Sequence, residues 1–116
     1  MGIILNVLNG RFTVEIFREG EKMRLVGVFG SGLKKEIEIP IDTLEEALEA
    51  ESNEIYIGED NAHKWVGIQF IRWRGIPEAR IFFPTPPTLL GNEPELIVVN
   101  REELINELNR LLGPKL

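Results

Sequence analysis

The stretch HKWVGIQFIRWRG, residues 63–75, brings flat aromatic rings together with positive charges. It holds both tryptophans of the chain, Trp65 and Trp73, and the basic residues Lys64, Arg72 and Arg74. Nucleic-acid bases stack on such rings, and each stacked base contributes about 1 to 3 kcal/mol to binding. Basic side chains neutralise phosphates and release counterions. These residue types could bind a single strand of nucleic acid with little sequence specificity, because every base has a ring face.

If residues 64–74 form a strand, their side chains alternate between its two faces. Val66, Ile68 and Phe70 then share one face, and Trp65, Gln69 and Trp73 share the other. Gly67 lies on the tryptophan face, where the missing side chain would let a ring lie close to the sheet or would mark a β-bulge. The alternation predicts one buried face and one aromatic face.

The chain is acidic, with a net charge of −6 over 116 residues. The segment from Asn61 to Gly91, however, contains four basic residues and one carboxylate, that of Glu78, so its net charge is +3. The remainder of the chain therefore carries −9, since −6 minus 3 is −9. One basic, aromatic region on an acidic protein predicts a localised surface for a polyanion. Its candidate residues are Lys64, Trp65, Gln69, Arg72, Trp73, Arg74, Arg80, Phe82 and, at the start of another predicted strand, Arg11.

Two other interpretations of the aromatic residues stay open. Large rings in β proteins often pack in the interior, and the tryptophan face could lie under a helix if the two faces were exchanged. Aromatic residues and Arg are also enriched in protein interfaces. Trp65, Trp73 and the segment FFPTPPTLL could therefore form a patch for a protein partner, or for a homo-oligomer such as a dimer or tetramer.

The composition argues against catalysis and metal binding. The chain has no cysteine, which excludes disulfides and thiolate zinc sites, and its one histidine is His63. Asp60 and Asn61 precede His63, but nothing else stands at metal-ligand spacing. No Gly-rich phosphate loop or nucleophile motif occurs, and no apolar run is long enough to span a bilayer. We expect a cytoplasmic, non-enzymatic protein with no cofactor, no metal site and no membrane partner.

Four β-like runs open the chain: GIILNVL, RFTVEIF, MRLVGVF and KKEIEIPI. Alternation of Phe12, Val14 and Ile16 with polar residues is typical of a half-buried strand, and Asn9-Gly10 favours a tight hairpin turn. The second half contains NEIYIG, KWVGIQFIRWR, PEARIFF and, after the loop PTPPTLLGNE, PELIVV. The pattern predicts four strands in each half.

A helix is predicted after each set of strands. In DTLEEALEAE, Asp42 is a natural N-cap, and Glu45 three residues later completes a capping box. Asn100 would cap the second helix, and Gly113-Pro114 would end it. The predicted apolar positions are Leu44, Ala47 and Leu48 in the first helix, and Leu104, Ile105, Leu108, Leu111 and Leu112 in the second.

The order ββββα thus occurs twice, which predicts an α+β fold of antiparallel sheets and two helices in a single domain, residues 1–116, with pseudo-repeats 1–51 and 52–116. The two predicted caps are 58 residues apart, half the chain length. At an offset of 54, Val14, Ile16 and Arg18 fall on Ile68, Phe70 and Arg72. The spacing suggests a duplication, although strands also match because they draw on the same few residue types.

Two successive ββββα units resemble the Whirly and positive-cofactor-four type of single-strand-binding fold. The basic strand with its tryptophans is also similar to what the archaeal ThermoDBP group of single-stranded DNA-binding proteins would need. Both resemblances imply a single-stranded nucleic acid as ligand, with DNA favoured over RNA.

Overall fold

The structure is a computed structural model that describes residues 3–5, 13–28, 32, 34–59, 65–84 and 96–113. The first half contains β1 (Ile3–Leu5), β2 (Thr13–Glu19), β3 (Lys22–Val28), β4 (Lys34–Pro40) and α1 (Ile41–Glu49). The second half contains β5 (Glu54–Glu59), β6 (Trp65–Trp73), β7 (Ile76–Phe82), β8 (Leu96–Asn100) and α2 (Arg101–Leu112). The predicted order of strands and helices is confirmed.

Each set of four strands forms its own antiparallel sheet. Strands β1 to β4 pair in chain order as sheet A, and strands β5 to β8 pair in chain order as sheet B. Consecutive strands commonly lie side by side, and two-residue turns join β2 to β3 and β6 to β7 directly. The α+β class with antiparallel sheets and two helices is therefore confirmed. The predicted Asn9-Gly10 turn, and the loop PTPPTLLGNE beyond Pro84, lie outside the described residues.

The hydrophobic core lies between the inner faces of the two sheets. Ile16 and Leu25 of sheet A and Ile68 of sheet B are fully buried and belong to one apolar cluster. Phe70 and Phe83 are also buried there, at 5% and 3% exposure. The alternation read from the sequence therefore assigned the buried side of these strands correctly.

Sheets A and B approach each other closely at Gly27 of β3. A Cβ atom at this position would lie 2.8 Å from Cζ of Phe83 and 2.9 Å from Cδ1 of Ile97. Contacts this short force neighbouring groups to move, and overpacked cores lose stability. A residue without a side chain is required where the two layers meet.

Helix α1 begins without the cap that the sequence predicts. Its N-cap position is Pro40, and no side chain caps the helix, so the prediction of a capping box built on Asp42 and Glu45 is wrong. Strand β4 runs directly into the helix, and the Ile41 N–H donates to the carbonyl oxygen of Glu21 at 2.9 Å. Tertiary structure thus satisfies one of the four N–H groups that the start of a helix leaves without an intrahelical partner. Asp42 lies instead in the first turn, where its charge suits the helix dipole.

Both caps predicted for α2 are found. The side chain of Asn100 accepts a hydrogen bond from the Glu103 N–H at 3.1 Å, and Gly113 ends the helix with φ 84°. Pro114 lies outside the described residues. The guanidinium of Arg18 donates to the carbonyl oxygens of residues 111 and 112 at 3.5 and 3.2 Å, which ties the end of α2 to sheet A.

The helices bury their predicted apolar residues in the core between the sheets. Leu44, Leu104 and Leu108 are fully buried. Ala47, Leu48, Ile105, Leu111 and Leu112 are partly buried against the same cluster. Because this cluster contains Phe70 and not Trp65, the helices pack on the Phe70 side of sheet B. The alternative that the tryptophan face lies under a helix is therefore not what the structure shows.

The β2–β3 and β6–β7 hairpins have the same register. Thr13 pairs with Val28 and Glu19 with Lys22 in sheet A; 54 residues later, Gly67 pairs with Phe82 and Trp73 with Ile76 in sheet B. Each hairpin closes with a two-residue turn, 20–21 in sheet A and 74–75 in sheet B. The hairpins are therefore equivalent in position, whereas a duplication of the whole unit stays a prediction.

Candidate nucleic-acid interface

The face of sheet B that points away from the core is rich in apolar and aromatic residues. Strand register and alternation assign to it Tyr56, Trp65, Gln69, Ile71, Ile76, Glu78, Arg80, Phe82, Leu96 and Val98. We call this surface the outer face of sheet B. Tyr56 and Ile76 are 52% and 53% exposed, the exposed large hydrophobic residues of the described chain. Trp65, Gln69 and Phe82 are half-buried.

Three aromatic rings from three adjacent strands form a cluster on this face. The Tyr56 ring of β5 is stacked on Trp65 of β6, with centroids 6.2 Å apart and an interplanar angle of 26°. Phe82 of β7 meets Trp65 edge to face, at 5.0 Å and 79°. Both arrangements are favourable for aromatic pairs. We refer to Tyr56, Trp65 and Phe82 as the aromatic cluster.

Gly67 lies beneath the aromatic cluster, as the sequence suggested. A Cβ atom on Gly67 would lie 3.2 Å from Cζ2 of Trp65 and would overlap the carbonyl oxygen of Ile55. Gly67 has φ 151°, a conformation that other residues rarely adopt. A bulge also occurs, in the partner strand between Tyr56 and Gly58. The glycine thus creates the space that the tryptophan ring occupies, and covering glycine in this way also stabilises the sheet.

A polar pair follows the aromatic cluster along the sheet. Gln69 of β6 lies directly opposite Arg80 of β7, and both are half-buried. Arg80 Nη2 lies 3.5 Å from a carboxylate oxygen of Glu78, whose side chain is 14% exposed. Arg80 Nε is buried without a hydrogen-bond partner. The guanidinium is therefore held on the sheet surface beside the rings, with its charge partly balanced by Glu78.

Two further cations lie at the opposite end of β6 from the aromatic cluster. Arg72 is exposed, and its guanidinium donates to the carbonyl oxygen of Gly75 at 3.1 Å. By alternation Arg72 belongs to the same side of β6 as Phe70, not to the tryptophan side. Arg74 is exposed in the turn with φ 52°. Trp73 pairs with Ile76 through the backbone, but its side chain is outside what the structure describes.

Carboxylates line the β5 edge of the same face. Glu54 lies opposite Gln69 and Glu59 lies opposite Trp65, and both glutamates are exposed. A polyanion would be repelled along β5 and attracted toward Arg80 and the turn that holds Arg74. The electrostatics of the face are therefore uneven, with carboxylates along β5 and the positive charges of its described residues limited to Arg80 on β7 and Arg74 in the β6–β7 turn.

Sheet A presents a charged outer face, although its topology is the same. Arg24 lies 5.1 Å above the Phe17 ring and forms ion pairs with Glu19, Glu36 and Glu38. Hydrogen bonds to Glu19 and Glu36 raise the pKa of Arg24 further above its ordinary value. The solvent-exposed face of an antiparallel sheet is ordinarily polar and charged in this way. The aromatic surface of sheet B is thus not a consequence of the topology.

The structure brings together part of the predicted residue set. Trp65, Gln69, Arg80 and Phe82 share the outer face, whereas Arg74 lies in the turn at its far end and Arg72 belongs to the Phe70 side of β6. Lys64 and Arg11, and also His63, lie outside the described residues. Sequence reasoning missed Tyr56, because its position beside Trp65 depends on the register between β5 and β6 and on the bulge after Tyr56. The alternation of Glu54, Ile55 and Tyr56 was a signal that could have found it, because it places Tyr56 on the other face of the strand from the buried Ile55.

A separate groove of about 380 Å³ lies between the end of α1 and the α2 helix. Its floor includes Phe70, and the guanidinium of Arg101 lies 5.3 Å from the Phe70 ring centroid. Glu49 and Glu51 line the same groove. Two carboxylates and one guanidinium at the rim favour no single ligand charge.

Among the described residues, no three His, Cys, Asp or Glu side chains converge to hold a metal ion. Neither of the helices in this part of the chain is long and apolar enough to cross a membrane. Comparisons of the chain with protein-family models, with curated proteins and with solved structures gave no significant match. The resemblance to Whirly-type and ThermoDBP-type folds therefore stays a prediction based on the order of strands and helices.

Proposed function

We propose that this protein binds single-stranded nucleic acid on the outer face of sheet B. The observation that carries the proposal is the aromatic cluster: Tyr56, Trp65 and Phe82 come from three adjacent strands and meet on the face opposite the core. Four-stranded antiparallel sheets with aromatic side chains on one face offer platforms for unpaired bases. Exposed Tyr56 provides the most accessible ring, and the half-buried Trp65 supports it from behind.

The polar residues beside the cluster suit such a ligand. Gln69 and Arg80 offer hydrogen-bonding groups next to the stacked rings, where they could reach the edge of a base or a phosphate. Glu78 limits the positive charge of the middle of the face. We therefore expect stacking to provide most of the affinity, and electrostatic attraction to add a smaller, salt-dependent part.

A protein partner, including a second copy of the chain, is the alternative. The observation that favours it is the aliphatic character of the rest of the face, where Ile71, Ile76 and Leu96 accompany the rings. Apolar surface of this kind is a mark of protein interaction sites. Such an interface would hold or tighten as the concentration of an excluded salt rises, whereas nucleic-acid binding would weaken.

Fluorescence anisotropy with a labelled oligothymidylate tests the proposal. The oligonucleotide should be about 16 nucleotides long, the upper end of the usual site size for one single-strand-binding domain. We expect quenching of tryptophan fluorescence, preference over a duplex, and weaker binding when salt rises from about 50 to about 200 mM. Tyr56→Leu should weaken binding because it keeps apolar area but removes the ring.

Phe17→Leu is the matched control, since Phe17 is an aromatic residue on the outer face of sheet A and is covered by Arg24. It should leave binding unchanged. If the wild-type protein binds no oligonucleotide at low salt, the proposal is wrong. Sedimentation that then shows self-association lost in Tyr56→Leu but kept in Phe17→Leu would favour the protein interface.

A further inference from the structure

We infer that the bound strand runs along β6 from the aromatic cluster to the β6–β7 turn, and that Arg74 holds a phosphate of nucleotides beyond the stacked ones. This inference rests on the proposed function. It adds the path of the bound nucleic acid across the sheet and assigns base stacking and phosphate binding to different residues. Bases would stack at one end of the face, and phosphate contacts would extend the site at the other.

The first argument is the distance between the aromatic rings and the arginine of the β6–β7 turn. The aromatic cluster surrounds Gly67 near the start of β6, whereas Arg74 follows its last residue. At a rise of about 3.3 Å per residue, Gly67 beneath the rings and Trp73 at the end of β6 are about 20 Å apart along the β-strand. A stacked nucleic-acid strand advances about 3.4 Å per nucleotide, so this distance corresponds to about six stacked nucleotides or to fewer extended ones. A very short ligand held by the rings cannot reach Arg74.

The second argument is the backbone of Arg74. Its φ of 52° lies in the left-handed region, which non-glycine residues seldom occupy. The equivalent position of the sheet A hairpin, 54 residues earlier, is Gly20 with φ 62°. Glycine adopts this conformation without steric strain, and Asn tolerates it better than most residues. Sheet B therefore has an arginine where the backbone disfavours one, and residues held in such conformations occur often at binding and active sites.

The third argument is the distribution of charge across the face. Glu54 and Glu59 make the β5 side repulsive to phosphates, whereas Arg80 lies on β7 between the rings and the turn. A nucleic-acid strand whose first bases stack on the aromatic cluster is therefore directed along β6, past Arg80 and toward Arg74. At the turn, Arg72 bonds the Gly75 carbonyl and adds a second positive charge.

The experiment measures the affinity of oligothymidylates from about 4 to about 16 nucleotides, the range of single-strand site sizes, for the wild-type protein and for Arg74→Asn. The wild-type affinity should rise with length. Arg74→Asn should bind the shortest ligand normally and the longest about fivefold more weakly at 0.1 M salt, as a slope of about −0.7 per phosphate predicts. The same variant should raise Tm by a few degrees, because Asn suits the left-handed turn better.

Two variants complete the test. Tyr56→Leu should weaken binding of every length by a similar factor, because the stacked end is common to all ligands. Arg110→Asn removes an exposed arginine from α2 and should change nothing. An Arg74→Asn variant that loses affinity equally at all lengths, or at none while the wild type binds, would overturn the inference and leave the proposed function intact. If the wild type binds no oligonucleotide of any length, both fail together.

Discussion

The ring of Trp65 lies above Gly67, where any side chain would be only 3.2 Å from the ring and would overlap the carbonyl oxygen of Ile55. Tyr56 and Phe82 flank the ring on the two neighbouring strands. The same glycine therefore makes the space for the tryptophan and lets the three aromatic side chains converge. Stability of sheet B and the shape of its outer face depend on this one position.

Gly67→Ala should destabilise the protein by about 3 kcal/mol or more, because it adds steric overlap to an unfavourable φ. Gly58→Ala is the control: Gly58 has φ 156°, but a Cβ there meets nothing within 4 Å. That variant should lose about 1 to 3 kcal/mol from backbone strain alone. Urea denaturation measures both free energies of unfolding. Equal losses would show that the overlap of the added methyl group with Ile55 and Trp65 does not matter.

Tyr56→Leu should lower the free energy of unfolding by about 0.5 to 1.5 kcal/mol at most, since it removes the ring pair with Trp65 but the Tyr56 ring is 52% exposed. Its affinity for single-stranded nucleic acid should fall by about 5- to 150-fold, which corresponds to the loss of one stacked base. Tyr56→Phe keeps the ring and should retain most of the binding. A loss of affinity in Tyr56→Phe as large as in Tyr56→Leu would mean that the hydroxyl, not stacking, matters.

Gly27→Ala should destabilise the protein by about 1 to 3 kcal/mol, because the added methyl group meets Phe83 and Ile97 across the two sheets. Phe83→Leu removes one of these obstacles and should recover part of the loss in the double variant. The coupling in this double-mutant cycle should be about 0.5 to 3 kcal/mol. Additive losses, measured by urea denaturation, would show that the sheets do not meet at Gly27.

Asn100→Ala should cost about 1 kcal/mol, because it removes the side chain that accepts a hydrogen bond from the Glu103 N–H. Asp42→Ala serves as the comparison. Asp42 caps nothing, and the helix propensity gained with Ala offsets the small loss of dipole interaction, so stability should change by about 0.5 kcal/mol or less. Thermal unfolding of the two variants measures the difference. A larger loss in Asp42→Ala would contradict the observed start of α1.

The sequence by itself determined the order of strands and helices, the buried side of each strand around Ile16 and Ile68, and the cap at Asn100. These features depend on neighbours a few residues apart, so local alternation and propensity suffice to predict them. The same alternation predicted that Trp65 and Phe70 lie on opposite faces of β6 and that Gly67 leaves room for a ring.

Only the tertiary structure decided the rest. Asp42 is not a cap because strand β4 runs directly into a helix that begins at Ile41, whose N–H donates to the carbonyl oxygen of Glu21 on a distant turn. No local pattern contains that contact. Tyr56 joined the aromatic cluster through strand register and a bulge, which pair residues far apart in the chain. The strained φ of Arg74 and the closeness of Gly27 to Phe83 also arise from how hairpins close and sheets pack. Such features are set by long-range geometry, whereas a sequence records directly only which residues are adjacent.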